Sequence, residues 1–191
     1  MRFKSLANLV KQNEEIPISN LDVKKICDGK VNIVLYSDLK ELYKRDISIL
    51  SLFKEEYNNC IVLLYQLGRK IGHWVSLILH NDMSISFYNS YAFNIDQELD
   101  FTTHGSKYLT LLLHGHRVNV NPYRHQRLIE NVNTCGLHAS LRCVFHHFTN
   151  EQYHKFISSY DNHKTKDYDK LVSLLCLVPL KYNIARDEDI I

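Results

Sequence analysis

The chain has 191 residues, of which 45% are hydrophobic and 23% charged, and its formal net charge is +2. One folded domain spanning residues 1–191 is expected, and that balance supports a packed core and excludes global disorder. A charge of +2 is too small to argue for nucleic acid by itself, and no apolar run approaches a membrane span. The first residues hold no apolar stretch of signal-peptide length. The five cysteines (Cys27, Cys60, Cys135, Cys143 and Cys176) are scattered and odd in number. That spacing is no disulfide framework, so a soluble protein of a reducing, intracellular compartment is expected.

Residues 2–13 read as an amphipathic helix with Phe3, Leu6, Leu9 and Val10 on one side, ended by Pro17. Ser19-Asn20 can cap a second helix over 21–27, so residues 1–30 form an N-terminal helical segment. Asp28-Gly29 is a turn signal. Val31–Tyr36 is β-branched and predicts a strand. Ser37-Asp38 then caps a helix over Leu39–Arg45, and 46–57 could be helical throughout. Cys60–Tyr65 is a continuous apolar run, as in a strand covered on both faces. Gly68–Gly72 reads as a loop. His73–Leu79 and Met83–Asn89 form a hairpin around His80-Asn81-Asp82.

Residues 90–104 read as loop with one helical turn. A helix over Ser106–Leu113, a short strand at Val118–Val120 and an irregular stretch over 122–133 follow. A helix then opens at Cys135, with Leu137, Leu141, Val144, Phe145 and Phe148 at helical spacing and Thr134 or Asn133 as cap. Helices over 150–160, with Asn150 as cap, and 167–177, with Asp167 as cap, occupy the C-terminal part, 149–191. A polar tail follows Pro179. Helices, clustered strands, then helices describe an α+β fold: a small mixed central β-sheet flanked by helices.

A cysteine at a helix N-terminus meets backbone N–H groups and a dipole that favour an anion, so the thiol pKa of Cys135 is expected to fall and its thiolate to be a usable nucleophile. Such a nucleophile needs a base close by, and the base needs an orienting partner. His73 begins one arm of the hairpin and Asn89 ends the other, so the turn sets them side by side. Asn89 can then accept from an imidazole N–H and fix its tautomer, as in Cys-His-Asn sites. Acyl transfer also needs donors for an oxyanion. The Cys135 backbone N–H and the amide of Gln126, nine positions upstream, are the candidates. Each residue alone has a plainer reading: a core cysteine, a half-buried strand histidine, a turn-forming asparagine, a solvated loop glutamine.

The ordered set narrows this. Gly72-His73-Trp74 on a strand, Phe87-Tyr-Asn-Ser-Tyr91 ending the next, a Gln, then Asn133-Thr-Cys-Gly-Leu-His138 opening a helix resembles the adenovirus-protease and SUMO-protease superfamily of cysteine peptidases. The likeness is to the viral branch, including proteases of virophages and Maverick/Polinton-type elements, and covers about residues 60–148 as a catalytic core. The resemblance implies an adenovirus-protease-like fold, Cys135 as nucleophile, His73 as general base and acid, Asn89 as orienting residue and Gln126 as oxyanion donor. It also implies that Trp74 and Gly136 lie beside bound substrate. Two features depart from the pattern: many members carry Asp or Glu at the position of Asn89, and the Gln126–Cys135 spacing is slightly long. Asn131 or Asn133 could supply the amide instead.

The implied activity is a thiol endopeptidase that cleaves viral capsid or core precursors after small residues such as Gly. It would act as a monomer at the assembly site in the host cell and inside the virion, without a cofactor. DNA or a viral peptide activates adenovirus-type relatives, so either is a partner to consider. Two other readings share the sequence: deconjugation of a ubiquitin-like modifier, and a non-catalytic binding or structural protein. Cys135-x-x-His138, Cys143-x-x-His146 and His114-x-His116 supply at most two ligands each, so no metal site is expected. Lys107, Arg117, Arg124, Arg127 and Arg142 cluster in sequence around the cleft and read first as solvated loop residues, with nucleic acid or an acidic partner surface as the functional alternative. His138 reads as cleft or helix support.

Overall fold

The run at 60–65 is apolar at every position and requires cover on both faces. It forms strand β2 (Cys60–Gln66), second in a five-stranded sheet of order β1-β2-β3-β4-β5. The computed structural model describes residues 5–66, 72–101, 106–160 and 167–180. β1 (Asn32–Leu35) runs parallel to β2, while β3 (Gly72–Leu79) and β4 (Ile85–Tyr88) continue antiparallel. β5 (Val118–Val120) closes the far edge parallel to β4. The sheet is therefore mixed, with helices before and after its strands, and the fold is the α+β arrangement expected from the element order.

Alternate residues of a strand face opposite ways. Cys60 and Val62 of β2 and Trp74 and Ile78 of β3 pack against Ala139 and Cys143 of α5 (Cys135–Val144), with Val23 of α2 (Asn20–Ile26) beside them. Ile61, Leu63, Tyr65, Val75 and Leu77 face the other layer, which holds Leu39 of α3 (Leu39–Lys44) and Leu109 of α4 (Tyr108–Leu112). Helix α5 is thus sandwiched, and every residue from Gly136 to Cys143 is buried. Its outer side meets α7 (Tyr168–Leu175), which also packs on α1 (Leu6–Glu15). Tyr153 and Ile157 of α6 (Asn150–Ser159) join Tyr88 and Tyr168 in a smaller cluster.

The local expectations differ from the structure where a side chain finds a better partner elsewhere. Helix α1 ends at Glu15 with Ile16 already extended, because the residue before Pro17 cannot stay helical. The stretch 46–57 is not a helix but two 3-10 turns, Ile49–Leu52 and Glu55–Tyr57, separated by extended Phe53 and Lys54. Asp38 accepts from the Leu35 backbone N–H rather than capping α3. Thr149, not Asn150, caps α6, in a capping box with Gln152. Asn150 is buried and donates to the carbonyls of Phe87 and Asn119. Arg142 is not a solvated loop residue: it is fully buried, donating to the Phe145 and Phe148 carbonyls and to Asn150. Lys107, Arg117 and Arg127 each meet a carboxylate. Phe3, residues 68–71 of the stretch read as a loop over Gly68–Gly72, and the residues from 181 lie outside the described ones, while Gly72 opens β3. No helix among the described residues is long and apolar enough to cross a membrane.

Candidate active site

The hairpin register places Ser76 opposite Tyr88 and Leu79 opposite Ile85. Continued one step, it sets Asn89 opposite Val75, so Asn89 and His73 share a face at a diagonal, within reach of each other. His73 Nε2 lies 3.1 Å from Asn89 Oδ1. The Tyr91 backbone N–H, which can only donate, also points at that atom, at 2.9 Å. The atom facing the ring is therefore the amide oxygen, and Nε2 must carry the ring proton. That leaves Nδ1 with its lone pair, the form a general base requires. Asn121 Nδ2 donates to the Asn89 carbonyl at 2.9 Å and fixes the backbone at the strand's end.

Behind Asn89 stands Glu98, in the 3-10 turn Gln97–Phe101. Asn89 Nδ2 donates to Glu98 Oε1, and the same oxygen lies 3.7 Å from His73 Nε2. Both side chains are buried. Burial drives the His73 pKa down to about 4, against the pull of the Asn89 hydrogen bond and with a further push from His138. The ring is thus a free base at neutral pH.

Cys135 is the first residue of α5 and half-buried. Thr134 occupies the cap position but its hydroxyl donates to Asp169, and Asn133 spends its backbone and side-chain N–H groups on the carbonyls of Glu14 and Glu15. Neither side chain caps the helix, so the first N–H groups of α5 are left to the sulfur. The Cys135 thiol pKa is raised, not lowered as its place at a helix start led one to expect: burial outweighs the backbone N–H groups of Trp74, Gly136 and Cys135 itself, which pull it back. The Trp74 contact sets the sulfur beside the residue that follows His73. Tyr91 ties the set together: its ring stacks on His73 at 4.8 Å, and its hydroxyl meets both the Gln126 amide and the influence of Cys135.

Gln126 is buried, not a solvated loop residue. Its backbone N–H and that of His125 donate to the Ser90 carbonyl, and Ser90 Oγ donates to Gln126 Oε1 at 2.7 Å. Nε2 points the other way, toward the Val132 carbonyl at 3.3 Å. Asn131 is exposed and Asn133 is committed to α1, so Gln126 is the buried amide of the three. Trp74 is buried in the core between β3 and α5. Gly136 serves close packing: a Cβ there would lie 2.4 Å from Ile18 Cγ1 and 3.0 Å from Trp74 Cδ1. Gly136→Ala is expected to lower the unfolding free energy by about 1–3 kcal/mol through overpacking. Urea unfolding measures this, and wild-type stability would show that α5 can shift freely.

The loop entering α5 is held from outside. Asp169 of α7 is fully buried and receives the Thr134 hydroxyl, His138 Nε2 at 3.2 Å, and the backbone and side-chain N–H groups of Arg127 at 3.0 and 2.9 Å. Arg127 in turn reaches Asp167 at 3.2 Å. Of the cleft and helix-support roles expected for it, buried His138 takes the second, tying α5 to α7. Glu98 and Asp169 are the residues that the motifs do not contain, and Tyr91 stands in one of them without a role that the motif discloses. Among the described residues, no group of three or more His, Cys, Asp or Glu side chains is placed to hold a metal.

No family model matches the sequence. A protein of Sputnik virophage described as "Uncharacterized protein V9" is 28% identical over 178 residues, covering 88% of this chain and 98% of its own length. Among solved structures, that of a de-sumoylating protease aligns over 95% of this chain and 83% of its own at 16% identity, with a TM-score of 0.33.

Proposed function

We propose that the protein is a cysteine endopeptidase in which Cys135 is the nucleophile, His73 the general base and acid, Asn89 the orienting residue and Gln126 an oxyanion donor. The observation that carries this is the locked tautomer of His73. Asn89 Oδ1, fixed by the Tyr91 N–H, holds Nε2–H and leaves Nδ1 with a free lone pair, on the residue next to Trp74, whose backbone N–H meets the Cys135 sulfur. Cys135 Sγ attacks the peptide carbonyl as its proton passes to Nδ1. The oxyanion is met by the Cys135 backbone N–H and the Gln126 amide. Collapse breaks the C–N bond, and Nδ1 protonates the leaving amine. Water then adds to the thioester with Nδ1 taking its proton, the C–S bond breaks, and the thiol is restored.

The proposed substrates are capsid or core precursors of a virus, cut after small residues, during maturation in the infected cell and within the particle. The likeness to a virophage protein over 88% of this chain supports the viral setting. A nucleophile set beside buried Trp74 leaves little room for a side chain at the scissile residue, which favours Gly there. The test is co-expression of the capsid precursor with wild type or Cys135→Ala. Cleavage is expected with the wild type alone, and cleavage that persists with Cys135→Ala removes the proposal. A ubiquitin-like conjugate supplied in parallel distinguishes maturation from deconjugation.

A further inference from the structure

An amide can orient an imidazole but cannot offset the charge the ring gains when it takes a proton. Asn89 therefore explains the tautomer of His73 and leaves its basicity unexplained, because burial holds the ring at about 4. Glu98 lies where that charge is needed. Its Oε1 accepts from Asn89 Nδ2 and stands 3.7 Å from His73 Nε2. Its Oε2 is buried with no hydrogen-bond partner among the described residues. His73 is also the only basic side chain, among the described residues, within ion-pair distance of it. A buried carboxyl with one oxygen unmet and no Lys or Arg opposite is costly to the fold.

We propose that Glu98 is the positioning residue that supplies, through Asn89, the counter-charge to the imidazolium formed when His73 takes the Cys135 proton. The inference rests on the peptidase reading of Cys135 and His73 and deepens it. Asp96 just before its turn and Asp100 on it are the acidic neighbours of Glu98; Asp100 is itself paired with Lys107 at 3.1 Å, and Tyr65 of β2 approaches from the sheet while donating to Asp96. His73 is faced in addition by Tyr91 and by His138 of α5. Burial raises the Glu98 pKa to about 7, against the hydrogen bonds from its own backbone and from Asn89. The counter-charge is thus absent in mild acid and present above neutrality.

The experiment is alkylation of Cys135 by iodoacetamide across pH, on the full chain, which needs no substrate. In the wild type the rate rises through a limb near pH 7. Glu98→Gln keeps an oxygen for Asn89 Nδ2 but loses the charge. It is expected to abolish that limb and slow alkylation at pH 8 roughly tenfold, the effect of one pKa unit. The double variant Asn89→Asp with Glu98→Gln sets the carboxylate directly against the ring and restores the alkylation rate at pH 8. Unchanged alkylation in Glu98→Gln, or a slower rate with the wild-type pH profile, overturns the inference while the peptidase reading stands. If His73→Ala leaves Cys135 reactivity untouched, the peptidase reading itself fails. Should Glu98→Gln not fold, NMR of the His73 ring in Cys135→Ala decides: a second shift near pH 7 supports the inference, and a single transition near pH 4 overturns it.

Discussion

His73→Ala is expected to reduce both alkylation of Cys135 and peptide hydrolysis by about 10²–10⁴-fold at neutral pH, the usual contribution of a positioned general base. The reason lies in the resting protonation states. Burial holds the Cys135 thiol above its ordinary value and the His73 imidazole at about 4, so the pair rests as neutral thiol and neutral ring. No standing thiolate is available, and the nucleophile is made only when Nδ1 accepts the proton during attack. Removing the ring therefore removes the route to the thiolate rather than slightly raising its pKa. Cys143 and Cys176 are buried free thiols on α5 and just beyond α7, and serve as internal controls for labelling. Loss of Cys135 labelling with unchanged labelling of those two is the expected result. Equal labelling of Cys135 in wild type and His73→Ala would show that the thiol is activated by something else. The same neutral pair predicts no low-pH plateau of thiolate reactivity in the wild type.

The parts of this site that the sequence discloses are those set by period and register. Apolar β2 announces a doubly covered strand, and the hairpin signal fixes how far along each arm His73 and Asn89 must lie. Sixteen positions with a tight turn give side chains on one face, a diagonal apart, because strand alternation has a period of two. The parts that stay hidden are contacts between distant segments. Glu98 is one of three acids in five residues, with Asp96 and Asp100, and nothing local separates the one that meets Asn89 from the one that meets Tyr65 and Thr110. Arg142 reads as a solvated charge, yet the carbonyls that satisfy it belong to the end of its own helix and the turn after it. The N-terminal and C-terminal helices look expendable beside the motif-bearing core. In the folded chain α1 receives Asn133 and α7 supplies Asp169, so both ends hold the loop that presents Cys135.

Asp169→Ala tests that dependence and is expected to destabilise the fold by about 3–5 kcal/mol, the range for removing one partner of a buried charged pair. Asp169 is fully buried and has no water to replace what it accepts from Thr134, His138 and Arg127. Alanine leaves the His138 ring N–H and the Thr134 hydroxyl inside the protein without an acceptor, and frees the loop that enters α5. Burial acts to raise the Asp169 pKa, but the hydrogen bond and attraction of His138, the Thr134 hydroxyl and the Arg127 N–H outweigh it and hold the carboxyl at about 2. A carboxyl lower in the folded chain than in the unfolded one stabilises at pH values above its unfolded pKa of about 4 and ceases to do so as pH falls toward 2. That linkage is on the order of 2 kcal/mol, present in full above about pH 5 and lost in strong acid. Urea midpoints at pH 7 and pH 3 measure both effects. The wild type should lose stability on acidification, and Asp169→Ala should start lower and lose less. A variant as stable as wild type at pH 7 would mean that the Cys135 loop is held by α1 alone, through the two N–H groups that Asn133 gives to Glu14 and Glu15.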